Sequence, residues 1–305
     1  MQRRDFIKHL SGGILLLSAA PVLTSCKHPG ASGTLRFGVV SDAHYADRDM
    51  IINRYYRQSI PKMQEAINRF NNSDLDFIIE LGDLKDMGPD KDPEEALRFL
   101  DSIEGVLQSF NGPVYHVLGN HDEDCISKTE FLAHITNPGN CNKKTRYSFN
   151  VKGFHCIVLD ANFNADMTDY ERGNFDWTSA WLPEEQLGWL DKELTDNSRK
   201  HTLIFIHQML DRFSDIDKNL CVGNGDEAVA ILEKHPQVLA VFQGHHHPGH
   251  YSHRNGIHYW TCGGMIESEY PEHNVYAVVE VRPNGDILIE GFRDCKSCEL
   301  PRKQS

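Results

Sequence analysis

Four histidines crowd into six positions of the stretch "VFQGHHHPGH", residues 241–250. Imidazole nitrogens bind divalent metals, so partners elsewhere in the chain decide what the tract can do. Four other stretches supply them. They are Ser41-Asp42-Ala43-His44, Gly82-Asp83-Leu84-Lys85-Asp86, Gly119-Asn120-His121-Asp122, and His207 at the end of "LIFIH". Each follows an apolar β-rich run. Oxygen and nitrogen donors without thiolate suit Mn, Fe, Zn, Co or Ni rather than a soft copper or iron–sulfur site. In extended backbone, residues i and i+2 face the same way. Asp42 and His44 can therefore address one ion. His245 and His247 can do the same, with His246 turned away. A glycine before Asp83, Asn120 and His245 lets the backbone turn tightly there.

The elements that must position these residues are legible as patterns. Strand-like runs occupy 35–40, 76–81, 113–118, 154–159, 202–207, 238–243, 257–262, 275–281 and 286–291. Several are apolar throughout, as expected of strands buried on both faces. Ile60, Met63, Ile67 and Phe70 keep helical spacing, as do Leu97, Leu100, Ile103, Leu107 and Phe110 after a Pro93-Glu94-Glu95 start. A second such start at Pro183 precedes Leu187, Leu190 and Leu194. Strands alternating with helices predict an α/β layered fold. The late strands lack intervening helices, which predicts an antiparallel portion or a second sheet. In open α/β sheets, sites form where carboxyl ends of strands converge.

The blocks D-x-H, G-D-x-x-D, G-N-H-D, a single H and G-H-x-H stand in that order between about residues 35 and 290. In this the chain resembles the calcineurin-like metallophosphoesterases. The resemblance implies a two-sheet β-sandwich flanked by helices, with two transition metal ions, divalent or mixed-valence (Mn, Fe or Zn), at the carboxyl ends of the strands. Carried over by position, Asp42, His44, Asp83 and His247 would hold the first metal. Asp83 would bridge to a second, completed by Asn120, His207 and His245. His121 would act at the leaving oxygen. Such a site hydrolyses phosphate esters or anhydrides: two cations hold a deprotonated water in line with phosphorus and neutralise the charge that develops.

Purple acid phosphatases of the family carry a tyrosine two or three residues beyond the bridging aspartate. Lys85 and Asp86 stand here instead. Asp86 is expected to orient a ligand, or else to make a simple turn. "YADRDMIINRYYRQSIPKMQEAI", "LPEEQLGWLDKEL", "GHHHPGHYS" and "GGMIES" look like the manganese-dependent ADP-ribose/CDP-alcohol diphosphatases. That group has glutamine where this chain has His44, so metal identity and substrate stay open. The implied substrate is small and phosphorylated, a nucleotide-type pyrophosphate or phosphodiester. A broad phosphomonoesterase and a lipoprotein that binds metal or ligand without turnover are the alternatives.

Two long polar-aromatic loops, 160–182 and 208–227, follow strands. Loops of this length in a compact domain commonly serve function. Asp160, Asn162, Tyr170, Phe175, Trp177, Asn224, His250 and Arg57 are candidate substrate-side residues, each with a packing or surface role as the alternative. Glu267 stands between support of a ligand and the surface.

Composition bounds the rest. The chain has 305 residues, 40% hydrophobic and 25% charged, enough for one large core. Residues 1–26 read as an export signal: Arg3, Arg4 and Lys8, an apolar run from Ile14 to Leu23, then Cys26. "RRDFIK" resembles a twin-arginine signal, and "LTSC" resembles a lipobox whose cysteine is lipidated. The expectation is an exported bacterial envelope lipoprotein that meets the membrane only through its anchor. Residues 27–34 form a short tether and 35–305 a single domain. The remainder has 28 basic and 43 acidic residues, a net charge of −15, and no basic footprint for a nucleic-acid polymer. Cys295 and Cys298 form a lone CxxC, compatible with a local disulfide.

Overall fold

Strand β1 (Leu35–Val40) alternates its faces with a purpose. Leu35, Phe37 and Val39 enter one apolar cluster, while Val40 enters another. Both faces are covered, so the strand is apolar throughout. The computed structural model describes residues 33–139, 144–174 and 176–302. The export signal, nearly all of the tether and Phe175 lie outside the described residues.

From β1 the chain makes a crossover through helix α1 (Ser59–Asn71) to β2 (Phe77–Glu80). A second crossover runs through α2 (Pro93–Leu107) to β3 (Val114–His116). These three strands are parallel. After α3 (Lys128–His134) comes a second group: β4 (Tyr147–Val151), β5 (Phe154–Val158), α4 (Glu184–Asp196), β6 (Thr202–Phe205), α5 (Gly225–Glu233), β7 (Val238–Gln243), β8 (His250–Arg254) and β9 (Ile257–Thr261). The last strands, β10 (Val275–Val281), β11 (Ile287–Arg293) and β12 (Cys298–Leu300), return antiparallel to lie beside β1. The result is two six-stranded mixed sheets, ordered β12-β11-β10-β1-β2-β3 and β4-β5-β6-β7-β9-β8.

The core has three layers of contact. Between the sheets, Phe37 stacks on Phe77 with ring centroids 4.9 Å apart and meets Phe205 and Phe242 edge-on. Outside the first sheet, Met63, Ile67 and Phe70 of α1 and Leu100, Ile103 and Leu107 of α2 cover Ile78 and Val114. Outside the second, Leu187, Leu190 and Leu194 of α4 and Leu232 of α5 cover Ile157 and Ile204. Asp92 caps α2 by accepting the Glu94 N–H at 3.0 Å, with proline at the first turn.

Three strands escape the sequence pattern: β4, β8 and β12. All three are sheet edges. Edge strands need not be apolar on both faces, and β8 reads "HYSHR" with no fully buried residue. Helices α3 and α5 are also unmarked by the spacing read from the sequence. The expected antiparallel portion is there, joined to the same sheet as β1 rather than standing apart.

Candidate metal centre

Five strands point their carboxyl ends to one place. Asp42 lies two residues past β1, Asp83 three past β2, Asn120 and His121 follow β3, His207 lies two past β6, and His245 and His247 follow β7. The turns interlock through backbone hydrogen bonds. Asp42 N–H donates to Gly82 at 3.0 Å, His44 N–H to Asp83 at 2.8 Å, and Gly244 N–H to His207 at 3.0 Å. Gly82 has φ +99°, and a Cβ there would sit 2.6 Å from His207 Nδ1. Gly119 has no such φ; a side chain on it would strike Asp83 N and Oδ1, so close approach requires it.

Spacing alone misassigns one pair. Asp42, His44, Asp83 and His245 all have left-handed backbone, φ 53°, 45°, 58° and 67°. The extended alternation expected for these blocks is therefore absent, and His245 and His247 enter different groups. One comprises Asp42, His44 and His247; the other Asp83, His207 and His245. Four left-handed non-glycine residues in one site represent strain of about 1 kcal/mol or more each, held in place by the surrounding ladder.

The donor atoms converge. His44 Nε2 lies 3.2 Å from His247 Nε2 and 3.8 Å from Asp42 Oδ1, and His247 Nε2 lies 3.4 Å from the same oxygen. Asp83 Oδ2 stands 3.4 Å from His44 Nε2 and 3.2 Å from His207 Nε2. One carboxylate oxygen thus faces both groups, while Oδ1 accepts the His121 N–H at 2.7 Å. Outer contacts set the rings. His247 Nδ1 meets Glu267 Oε1 at 2.7 Å, His207 Nδ1 meets the Leu81 carbonyl at 2.8 Å, and His44 Nδ1 lies 3.4 Å from Asp86 Oδ2. Each leaves Nε2 for the centre. Asp86 therefore supports His44 besides making its turn contact to Met87, and Glu267 supports His247.

The site fits cations. Asn120 is fully buried, and neither its amide nitrogen nor its oxygen has a hydrogen-bond partner. A buried amide left so costs about 1–3 kcal/mol, which points to a ligand for its oxygen. Burial alone would raise the Asp42 and Asp83 carboxyls; the imidazoles facing them outweigh it and hold both below the usual carboxylate range. His207 is lifted to about 9 against its own burial by Asp83, whereas burial and the neighbouring His207 drive His245 down to about 3. Protons on imidazoles here supply positive charge that metal ions supply on binding.

The family model for calcineurin-like phosphoesterases matches residues 35–249, which include all these donors. The chain belongs to that family. Like its members, this phosphoesterase is a metal-dependent hydrolase. It is 27% identical to the manganese-dependent ADP-ribose/CDP-alcohol diphosphatase of Oryza sativa, over 87% of this chain and 94% of the relative. It is 25% identical to the human protein of that name, over 83% and 88%. A dimetal phosphatase from Danio rerio shares the fold at a TM-score of 0.75 and 21% identity, covering 88% of this chain and 99% of that one.

Other expected residues of the phosphoesterase have different duties. Asp160 pairs with Lys128 at 2.7 Å and binds Gln186. Asn162 donates to the Leu118 carbonyl and accepts from Gln208. Asn224 spends its amide on both backbone groups of Leu182. Arg57 is held by Asp47 and Asp49, and His250 Nε2 faces Asp211 at 3.6 Å. Tyr170 is fully buried. Its hydroxyl donates to the Asp176 and Ser179 carbonyls. Asp160, Asn162, Asn224 and Tyr170 shape the loops around the site, whereas His250 lines an open cavity with His247 and Glu267. Trp177 differs: it is 47% exposed, and its ring centroid lies 6.4 Å from that of His245.

Sequence reasoning gave no role to Asp122, though the residue closes the G-N-H-D block. It is fully buried and accepts N–H groups from Gly119 at 2.8 Å and from Asp83 and Leu84 at 3.0 Å, tying two site turns together. Asp124, Lys128 and Asp211 carried no signal, because their partners lie 32 to 41 residues away.

Proposed function

We propose that the protein binds two metal ions and hydrolyses a small nucleotide-linked pyrophosphate or phosphodiester. The observation that carries the two-metal reading is Asp83 Oδ2, placed between His44 and His207 with one donor group on either side. Asp42, His44 and His247 would hold one ion, and His207, His245 and Asn120 the other. Bound there, the ions supply Lewis acidity that offsets substrate charge and acidifies water.

The chain's own residues do the rest. His121 is the cluster member most open to solvent: 18% of its side chain is exposed, against 2% or less for Asp42, His44, Asp83 and His207. Its Nδ1 lies 3.5 Å from Asp86 Oδ2. The facing carboxylates, Asp86 foremost, outweigh burial and raise its pKa well above the ordinary histidine value. It is thus suited to protonate a departing oxygen. Trp177 supports the nucleotide reading. A half-exposed indole beside the centre offers a face for a base, and base–aromatic stacking contributes about 1–3 kcal/mol. The turn that carries it is pinned by the buried Tyr170.

Elemental analysis paired with ADP-ribose, CDP-choline, a simple phosphodiester and a phosphomonoester tests the proposal. The expected result is two ions per chain and preference for the pyrophosphates. A Trp177→Ala variant should raise KM for ADP-ribose about tenfold and leave the simple diester unchanged. One ion per chain, or a preferred phosphomonoester, would refute the reading. We also propose export and lipid anchoring at Cys26, on residues 1–26 alone; labelled palmitate should enter the wild type and not Cys26→Ala.

A further inference from the structure

Behind His121 lies a closed circuit that the reaction as described does not use. Lys85 is fully buried. Its ammonium donates to the His121 carbonyl at 2.6 Å and to Asp124 Oδ1. Asp124 is 6% exposed, and its Oδ2 accepts the Met87 N–H at 2.8 Å. That same N–H also reaches Asp86 Oδ1 at 2.8 Å. Asp86 Oδ2 then faces His121 Nδ1 at 3.5 Å, with Asp124 Oδ2 at 3.8 Å. The Asp86, His121 and Asp124 donors are close enough to hold an ion. The Lys85 ammonium already supplies the cation there.

We infer that the Lys85–Asp124 pair is a positioning device for His121, fixing its backbone from one side and its ring from the other so that its proton meets the leaving oxygen. The inference rests on the proposed role of His121 as proton donor. Lys85 is suited to the task because its buried ammonium reaches the His121 carbonyl and Asp124 at once. A fixed ammonium also neutralises one of the two carboxylates beside the ring. Asp86 is left as the other carboxylate, its Oδ2 shared between His121 Nδ1 and His44 Nδ1. Without the pair, the ring keeps Asp86 but loses the anchor on its own peptide.

Leaving-group chemistry separates positioning from scaffolding. A proton donor matters for a poor leaving group, such as an alkoxide, and little for p-nitrophenolate, which departs without protonation. The test compares an alkyl phosphodiester with a p-nitrophenyl phosphodiester in metal-loaded wild type, Lys85→Met, Asp124→Asn and Lys85→Met/Asp124→Leu. The double variant leaves no buried charge unpaired, whereas Asp124→Asn offers Lys85 and Met87 a single acceptor oxygen and leaves the ammonium without its counter-charge. His121→Ala is the reference. The expected result is a kcat loss of about tenfold or more on the alkyl ester for Lys85→Met and the double variant. The p-nitrophenyl ester should lose less than threefold. KM and metal content should be unchanged, and Asp124→Asn should lose kcat on the alkyl ester in the same direction as Lys85→Met. Adding His121→Ala to the double variant should cost little more than His121→Ala alone. Equal losses on both esters, or losses that follow metal content, would overturn the inference. So would a leaving-group dependence in His121→Ala that the pair variants lack. Because neither ester is a nucleotide, failure to hydrolyse ADP-ribose would refute the substrate proposal and leave this comparison readable.

Discussion

Asp83 concentrates the chemistry of the site in one side chain. Its Oδ2 faces His44 and His207 while Oδ1 holds the His121 N–H. Asp83→Asn keeps the shape and removes the charge. Turnover should fall below about 1% of wild type and bound metal should drop by at least one ion per chain; elemental analysis and steady-state rates read both. Retained activity would mean the centre does not depend on a shared carboxylate. His246 gives the opposite case. It lies between two donors in sequence but belongs to neither group, and its ring instead lies 6.4 Å from that of His250. His246→Ala should leave metal stoichiometry unchanged, and loss of an ion would place it among the ligands. Among the four histidines of the opening tract, adjacency in sequence said nothing about shared duty. The left-handed backbone at His245 is what parts it from His247.

At the scale of elements, helices and strands are tied by buried polar pairs as well as by apolar faces. Glu104 of α2 and His116 of β3 meet at 2.8 Å, with side chains 8% and 1% exposed. Burial would neutralise both groups, but each charge outweighs it for the other. His116 is raised above its ordinary 6.5, and Glu104 lies below its ordinary 4.5. The histidine's share of stability is therefore full below 6.5 and fades as pH rises through its raised value. The glutamate's share is present above 4.5 and fades as pH falls through its lowered value. Glu104→Gln should destabilise the protein by about 3 kcal/mol near pH 6, because a buried charge loses its partner. The difference should shrink as pH rises through the raised value of His116, where the ring sheds its proton. Melting temperatures across pH measure this, and a pH-independent difference would show that charge is not the cause.

The whole molecule is a frame built around a charge problem. Asp42, Asp83 and Asp86 are held anionic in its interior, at the meeting point of strands from two sheets. Metal binding relieves that repulsion, so it should stabilise the fold as any ligand selective for the native state does, by about 2.7 kcal/mol at a hundredfold excess over Kd. Chelation should lower Tm by several degrees and abolish hydrolysis. Readdition of Mn, Fe or Zn should restore both, and the metal that restores the greater rate identifies the working ion. A melting temperature indifferent to chelation would contradict a metal-centred interior.

How far the sequence reached follows from the range of the interactions involved. Buried strands must be apolar on both faces, so β1, β2, β6 and β7 and the donors just past them could be read from local pattern. Edge strands β4, β8 and β12 carry no such requirement and left no pattern. Block order pointed to the family, whose model matches residues 35–249. Residue spacing did not determine which donors share a group, which only the resemblance implied, or that Asp83 turns a single oxygen to both. Nor did it show that Asp160, Asn162 and Asn224 are spent on loop structure, or that Lys85 and Asp124 close behind His121. These depend on contacts between residues tens to hundreds of positions apart and on left-handed turns whose direction local spacing does not encode. Only the packing of the two sheets brings those residues together.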